Sequence, residues 1–507
     1  MQRIVFPISA LILIMVWSSC RNDFEYAYNP GNLEFSKDTV FLDTVFSNIS
    51  SSTYTLKVYN PNHDDIEIPS IRLKQGQNSA YRLNVDGMAG KEFTNIPILA
   101  KDSLYIFVET TYSPTNDGKQ FLYTDAIAFK GLSSTQEVQL VTLVKDAILR
   151  YPKILENGIK ETHPLNMDID GNQNNVEGFF LKDDELIFTN DKPYVIYGYA
   201  IVPENQTLQV NAGVRIHFHE GSGIYVSKGA SLHINGTLSS SQDILENEVI
   251  FEGDRLEPEY SNVPGQWGTI WIAEGSLNNT MEHVTIKNAT IGTIVKGDGQ
   301  RQTSSLTINN TQIYNSSFTN LQAINTYVTG ENTVLGGAGG NSLHCSRGGR
   351  YEFTHCTIAN YWSHGSRLGT ALKIDNYDST TSGDLVLAQF NNCIIDGSAP
   401  IEISLHPNEA NAFNFTFDHS LIKFEDTSGQ YKNNTLYDFN DNTKYTEVLF
   451  NQNTDFEGFN RDVYQLGEAS SAIDKADLAY SLPIPYDIIG TERTQNPDIG
   501  AYEYTPK

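Results

Sequence analysis

Between residues 281 and 424 the apolar and polar positions fall into one short pattern: a residue that tolerates a sharp bend, a small residue, a variable residue, then Ile. The copies are His283-Val284-Thr285-Ile286, Asn310-Thr311-Gln312-Ile313, His355-Cys356-Thr357-Ile358, Asn392-Cys393-Ile394-Ile395 and His419-Ser420-Leu421-Ile422. Asn and His are among the few non-glycine residues that enter the left-handed backbone region at modest cost, so each lead residue marks a corner. Beyond the corner, period-two alternation sends the small residue and the Ile inward and the variable residue outward, as a short strand requires. Successive Ile positions lie 27, 45, 37 and 27 residues apart. Unequal steps of this size predict a stacked β-solenoid with insertions on some turns.

The same alternation continues upstream. Residues 208–210, 214–218, 224–226, 232–234 and 249–251 read as short strands, and Gly213, Gly221, Gly223, Gly229 and Gly236 fall where a coil must turn. Earlier still, residues 39–46, 53–60, 80–85, 103–110 and 137–144 alternate Val, Tyr, Phe and Thr with polar residues. Asn60-Pro61-Asn62, Asp86-Gly87 and Asn116-Asp117-Gly118 supply turns between them. About seven strands over roughly 115 residues match an immunoglobulin-like β-sandwich in count and spacing. The fold class is therefore all-β, with a sandwich over 32–148, a linker or N-terminal cap over 149–190 and a solenoid over 191–455.

Val210-Asn211-Ala212-Gly213-Val214 through Gly236-Thr237-Leu238, followed by Pro264-Gly265-Gln266-Trp267-Gly268-Thr269-Ile270, resembles right-handed parallel β-helix proteins of the pectate-lyase-like superfamily found among Gram-negative surface lipoproteins. Ser471-Ala472-Ile473-Asp474, Asp487-Ile488-Ile489-Gly490, Arg493 and Asp498-Ile499-Gly500-Ala501-Tyr502-Glu503 resemble the closing segment common in that group. Together the matching parts cover about residues 190–507. The resemblance implies that 456–507 form a C-terminal cap over the last coil, whose exposed edge would otherwise offer unpaired backbone. Arg493 near Asp487 or Asp498 is expected to be a structural ion pair.

Residues 1–19 read as a secretory leader, with Arg3 before an apolar run over 4–17 that is short for a bilayer span. Ser18-Ser19-Cys20 resembles a bacterial lipobox, with Trp17 and Ser19 in place of its more usual residues, and predicts lipidation of Cys20. Residues 20–31 are then a tether, and the expected location is the outer membrane or cell surface. Lys plus Arg number 34 against 61 Asp plus Glu, for a net charge of −27, and loss of Arg3 with the leader gives 33 − 61 = −28. Such a chain is a poor partner for nucleic acid or anionic lipid. Cys345, Cys356 and Cys393 remain after Cys20, an odd number that argues against a disulfide framework. Cys356 and Cys393 share one inward position of the repeat and are expected in the core.

Candidate chemistry is scattered. Asp168-Ile169-Asp170-Gly171-Asn172 suggests a calcium loop, but Gly171 is fourth and Phe179 twelfth, so a solvated acidic turn is expected. Ser363-His364-Gly365-Ser366-Arg367 echoes polygalacturonase-like relatives, yet Asp298 is the one Asp between 281 and 374 and the acid pair of a hydrolase is missing there. The densest basic stretch holds His344, Arg347, Arg350, His355, His364, Arg367 and Lys373. A lyase acting on a uronate needs a base and a cation for the substrate carboxylate, and Arg347, Arg350, His364, Arg367 and Lys373 are the candidates. Calcium enters only under that lyase reading. His217 and His219, with Glu220 and His233 nearby, are weak metal candidates. Alternation carried back from Ile270 and Ile272 puts Trp267 and Trp271 on the outside, either stacking on sugar rings or covered by the 255–263 loop or the sandwich. The leading expectation is a membrane-anchored, non-catalytic module that binds a glycan or a surface protein. The competing one is a polysaccharide lyase acting on an anionic glycan.

Overall fold

In a computed structural model, the described residues are 26–113, 120–156, 158–167, 173–299 and 302–506. The leader, Cys20, the start of the tether and the acidic turn at 168–172 lie outside them. The chain divides after Asp146 into two compact units.

The first unit is a two-layer β-sandwich. One sheet orders Ala27–Tyr28, Ile66–Leu73, Gln120–Lys130, Thr135–Lys145 and Thr39–Phe46, with Glu92–Ile98 also on Ile66–Leu73; the other orders Glu34–Phe35, Tyr54–Tyr59, Ser103–Thr110, Tyr81–Val85 and Met88–Gly90. Alternate residues of both sheets, among them Val40, Leu42, Val58, Ile68, Ile106 and Leu140, meet in one buried cluster. Those inward positions are the ones the period-two pattern selects.

The second unit is a parallel β-helix with three faces. Each coil lays down a strand on the first face, one on the second and one on the third, as in Tyr199–Val202, Thr207–Asn211 and Arg215–Phe218. The helix begins before residue 190, because Ile148–Arg150 pairs in parallel with Tyr194–Ile196 and Gln173–Phe180 pairs with Tyr199–Val202. The bend residues of all five repeats take positive φ: His283 46°, Asn310 48°, His355 53°, Asn392 51° and His419 42°. They turn the chain from the second face to the third. A sixth copy, Asn332-Thr333-Val334-Leu335, does the same with φ 47° and ends in Leu instead of Ile. Inside the corners, Cys356, Cys393, Ile358, Ile395 and Ile422 are fully buried. Phe353, Phe390, Phe417 and Tyr445 stack coil on coil, with ring centroids 5.5, 5.1 and 5.6 Å apart. Ordered aromatic stacks of this kind fix register as well as burying area.

Two expectations need correction. The variable residues of the repeat do not all meet solvent: Thr357, Ile394 and Leu421 are buried, because the C-terminal segment lies over the third face and packs Tyr464, Leu466, Ile488, Ile499 and Tyr502 against it. That segment is therefore a side cover instead of an end cap. It is pinned to the corners, where Asn332 Nδ2 donates to Tyr486 O at 2.9 Å and Asn392 Nδ2 donates to Asp477 O at 3.0 Å. The last coil is filled instead by Phe424, Tyr431, Tyr437, Phe439 and Phe450. Arg493 is fully buried, but its closest carboxylate is Glu503 at 3.4 Å, with Asp487 and Asp498 contributing charge around it.

Candidate functional site

The first face lies clear of the C-terminal cover described above and carries an outward row whose surface is interrupted at Ile201 and Ile294, which are 2% and 8% exposed. Strand pairing places Phe180, Ile201, Tyr225, Trp271, Ile294, Gln322, His344, Lys373 and Ser404 side by side in successive coils. Eight steps at about 4.8 Å give a track of about 38 Å. Its first half is apolar, with Phe180 50% exposed and the Tyr225 and Trp271 rings 6.2 Å apart. Its second half is polar and opens into a cleft of about 540 Å³ lined by His344, Lys373, Asp375, Tyr377, Asp378 and His406.

Asp375 organises the cleft. It is 5% exposed and accepts hydrogen bonds from His344 Nε2 at 2.7 Å and from the Arg347 backbone N–H at 3.1 Å, with Lys373 Nζ 3.4 Å away. Burial alone would raise its carboxyl; the His344 and Arg347 donors and the Lys373 charge outweigh that and hold it below the ordinary range. His406, one coil on from Asp375, is pushed down by burial and then by Lys373, so its imidazole is neutral at pH 7. Its Nε2 lies 2.7 Å from Ser404 Oγ. The cleft thus combines a fixed ammonium, an oriented imidazole and a neutral imidazole.

The basic stretch read from the sequence does not assemble as one site. Lys373 and His344 line the cleft, and Arg347 reaches Asp378 at 3.2 Å on its edge. Arg350 is on the second face, paired with Glu352 and lying over the Tyr327 ring. His364 stands exposed against Trp362, ring centroids 5.2 Å apart. Arg367 is committed to the buried Glu402, with Nη2 3.0 and 3.1 Å from its two oxygens. His355 is a buried corner whose Nε2 is 2.9 Å from Ser481 Oγ, and burial drives its pKa well down.

The metal candidates part as well. His217 Nδ1 faces Gly253 O at 3.2 Å and Glu252 at 3.6 Å, whereas His219 bonds Asp254 at 2.8 Å, and His233 is on another face. Among the described residues, no three His, Cys, Asp or Glu side chains are grouped to hold a metal ion. Trp267 does not point out: it is 1% exposed, stacks on Phe218 at 4.4 Å and donates Nε1–H to Lys287 O at 2.9 Å. The strand begins at Ile270, so alternation does not reach back to residue 267. Trp271 keeps its outward place. Sequence reasoning missed Phe180, Tyr225 and His406, whose signal is an outward position repeated at unequal intervals.

No protein-family model and no curated protein matches the chain. Among solved structures, a family 123 glycoside hydrolase from Clostridium perfringens, described for glycolipid glycan hydrolysis, aligns at 6% identity over 24% of this chain and 31% of its own, TM-score 0.17. The E. coli chaperone DraB aligns at 12% over 24% and 58%, TM-score 0.17. The catalytic unit of a thermostable GH87 α-1,3-glucanase from Streptomyces thermodiastaticus aligns at 10% over 72% and 79%, TM-score 0.21. The chain thus spans about a third of the first protein and little over half of the second. Scores this low say nothing of function, which rests on the geometry of this chain.

Proposed function

We propose that the second unit binds an extended polysaccharide along its first face, without chemistry at that face. The observation that carries this reading is the aligned row from Phe180 to Ser404, whose accessible members are Phe180, Tyr225, Trp271, Gln322, His344, Lys373 and Ser404. Phe180, Tyr225 and Trp271 offer aromatic faces on which sugar rings stack, while Gln322, His344 and Lys373 offer hydrogen bonds and a cation to hydroxyl and acidic substituents. Lipidation at Cys20 would hold this surface at a membrane, with a surface protein as the alternative partner. Isothermal titration against a panel of neutral and acidic polysaccharides tests it. Trp271→Ala is expected to weaken binding about tenfold or more, equivalent to about 1.4 kcal/mol, and Lys373→Ala to weaken the acidic ligands selectively. Parent-like affinity in both variants would refute the assignment.

One observation favours elimination at a uronate as a second reading: neutral His406 sits beside Lys373, a base next to a cation. Asp375 and Asp378 each already face a cation, so the cleft does not fit calcium and no step runs through one. Accumulation of unsaturated product from a uronate polysaccharide, abolished in His406→Ala, would establish that reading in place of the first.

A further inference from the structure

The fixed charges around the first-face cleft cancel. Lys373 Nζ lies 3.4 Å from Asp375 and Arg347 Nε lies 3.2 Å from Asp378, so two cations stand against two carboxylates. Burial would raise both carboxyls, but His344, the Arg347 N–H and Lys373 hold Asp375 below its ordinary value, and the Thr380 and Thr381 donors with Arg347 do the same for Asp378. Both therefore stay ionised in mildly acidic solution. The net charge that the cleft shows a ligand is set by its two imidazoles, His344 and His406.

Those imidazoles are placed differently. His344 Nε2 is held by Asp375 Oδ2 at 2.7 Å. His406 is exposed, and its Nε2 meets Ser404 Oγ at 2.7 Å. A hydroxyl rotates, donating to a neutral imidazole and accepting from a protonated one, so this contact survives in either state. Around His406 stand Lys373 and Asp375 on the paired strand, His344 on the strand beyond, Tyr377 and Asp378 on the loop after Asp375, and the exposed Glu409 on the loop that follows it. At the other edge of its strand Leu405 N donates to Tyr437 Oη at 2.8 Å, and burial pushes that phenol up to about 12, so it stays neutral. Burial and then the Lys373 charge hold the His406 imidazole below its ordinary value, against the pull of Asp375.

We propose that acidity controls the affinity of this cleft for carboxylate-bearing glycans, protonation of His406 supplying the positive charge that the paired lining withholds. Such regulation rests on the glycan-binding reading given above. A glycan carboxylate beside Lys373 and His406 stabilises the imidazolium, so the His406 value is higher in the complex than in the free protein. Binding then strengthens as pH falls through the value in the complex and levels off below the value in the free protein. The glycan carboxylate, with an ordinary value of about 4, stays ionised over most of that window. A neutral glycan gains nothing from the added charge.

Isothermal titration of an oligouronate into the purified chain, repeated across pH and in buffers of different ionisation enthalpy, tests this. Binding near pH 5 is expected to be about fivefold tighter than near pH 8, the scale of one added charge about 4 Å away in a water-exposed site. Uptake of up to about one proton per ligand is expected between those values. A neutral oligosaccharide should show neither effect. His406→Gln, whose amide can still bond Ser404, should remove both the pH dependence and the proton uptake, with thermal melts at each pH showing that the variant is folded. Oligouronate affinity independent of pH, or a pH dependence and proton uptake that persist in folded His406→Gln, would overturn the regulation and leave glycan binding standing. Failure of both glycans to bind at every pH would overturn the two together.

Discussion

Arg367→Ala distinguishes a structural arginine from a catalytic one. The Glu402 carboxylate takes four hydrogen bonds: two from Arg367 Nη2, one from Ala399 N at 2.7 Å and one from Ala371 N at 2.9 Å. Removing Arg367 leaves a buried charge held by backbone donors alone, a change that costs about 3–5 kcal/mol. The loss depends on pH. Burial raises the Glu402 carboxyl from 4.5 to about 7, against the opposing pull of Arg367 and the two backbone groups. Because the folded value exceeds the unfolded one, the contribution of this group is fully present below pH 4.5 and is lost as pH rises through about 7. Without Arg367 the folded value climbs further and the loss extends to higher pH. The variant is therefore expected to be much weaker than the parent near pH 8 and close to it near pH 5. Urea denaturation followed by tryptophan fluorescence reads this out, since Trp267, Trp271 and Trp362 all lie in the β-helix and the fourth, Trp17, precedes the sandwich. Parent-like stability near pH 8, or equal losses at both pH values, would refute the reasoning.

Three other outcomes are expected. Trp267→Ala should lower β-helix stability by about 3–5 kcal/mol in urea titrations, because its ring and indole N–H are both buried, whereas Trp271→Ala should leave the midpoint unchanged. Gly336→Ala places a Cβ 2.3 Å from the Tyr464 ring, so the C-terminal cover should loosen by about 1–3 kcal/mol and limited proteolysis should cut residues 452–506 sooner. Cys345, Cys356 and Cys393 are fully buried, and burial raises the Cys345 and Cys393 thiols well above their ordinary value; a thiol reagent should label them in denaturant and spare them in the native protein.

The corners were legible because their requirement is local: a backbone with positive φ, met by Asn or His, followed by a small residue and an aliphatic one. Demanding Ile at the end hid the Asn332 copy, which ends in Leu335. The error at Trp267 has a different origin, since alternation holds only inside a strand and that strand starts three residues later. The position of the C-terminal segment was not legible, because contacts such as Tyr502 with Gln312 join residues 190 positions apart without periodicity. The first-face row was hidden for a related reason: neighbours such as Tyr225 and Trp271 are adjacent only once the loop between their coils is subtracted.

The central claim is that the first face binds one extended glycan along its row. Affinity measured across a length series of a single oligosaccharide tests it most directly. From Tyr225 to Lys373 the row covers five rungs, about 24 Å. The account predicts that Kd falls with ligand length until that span is filled, and that Trp271→Ala and Lys373→Ala each flatten the dependence. An affinity independent of length, or a length dependence that both variants preserve, would contradict it.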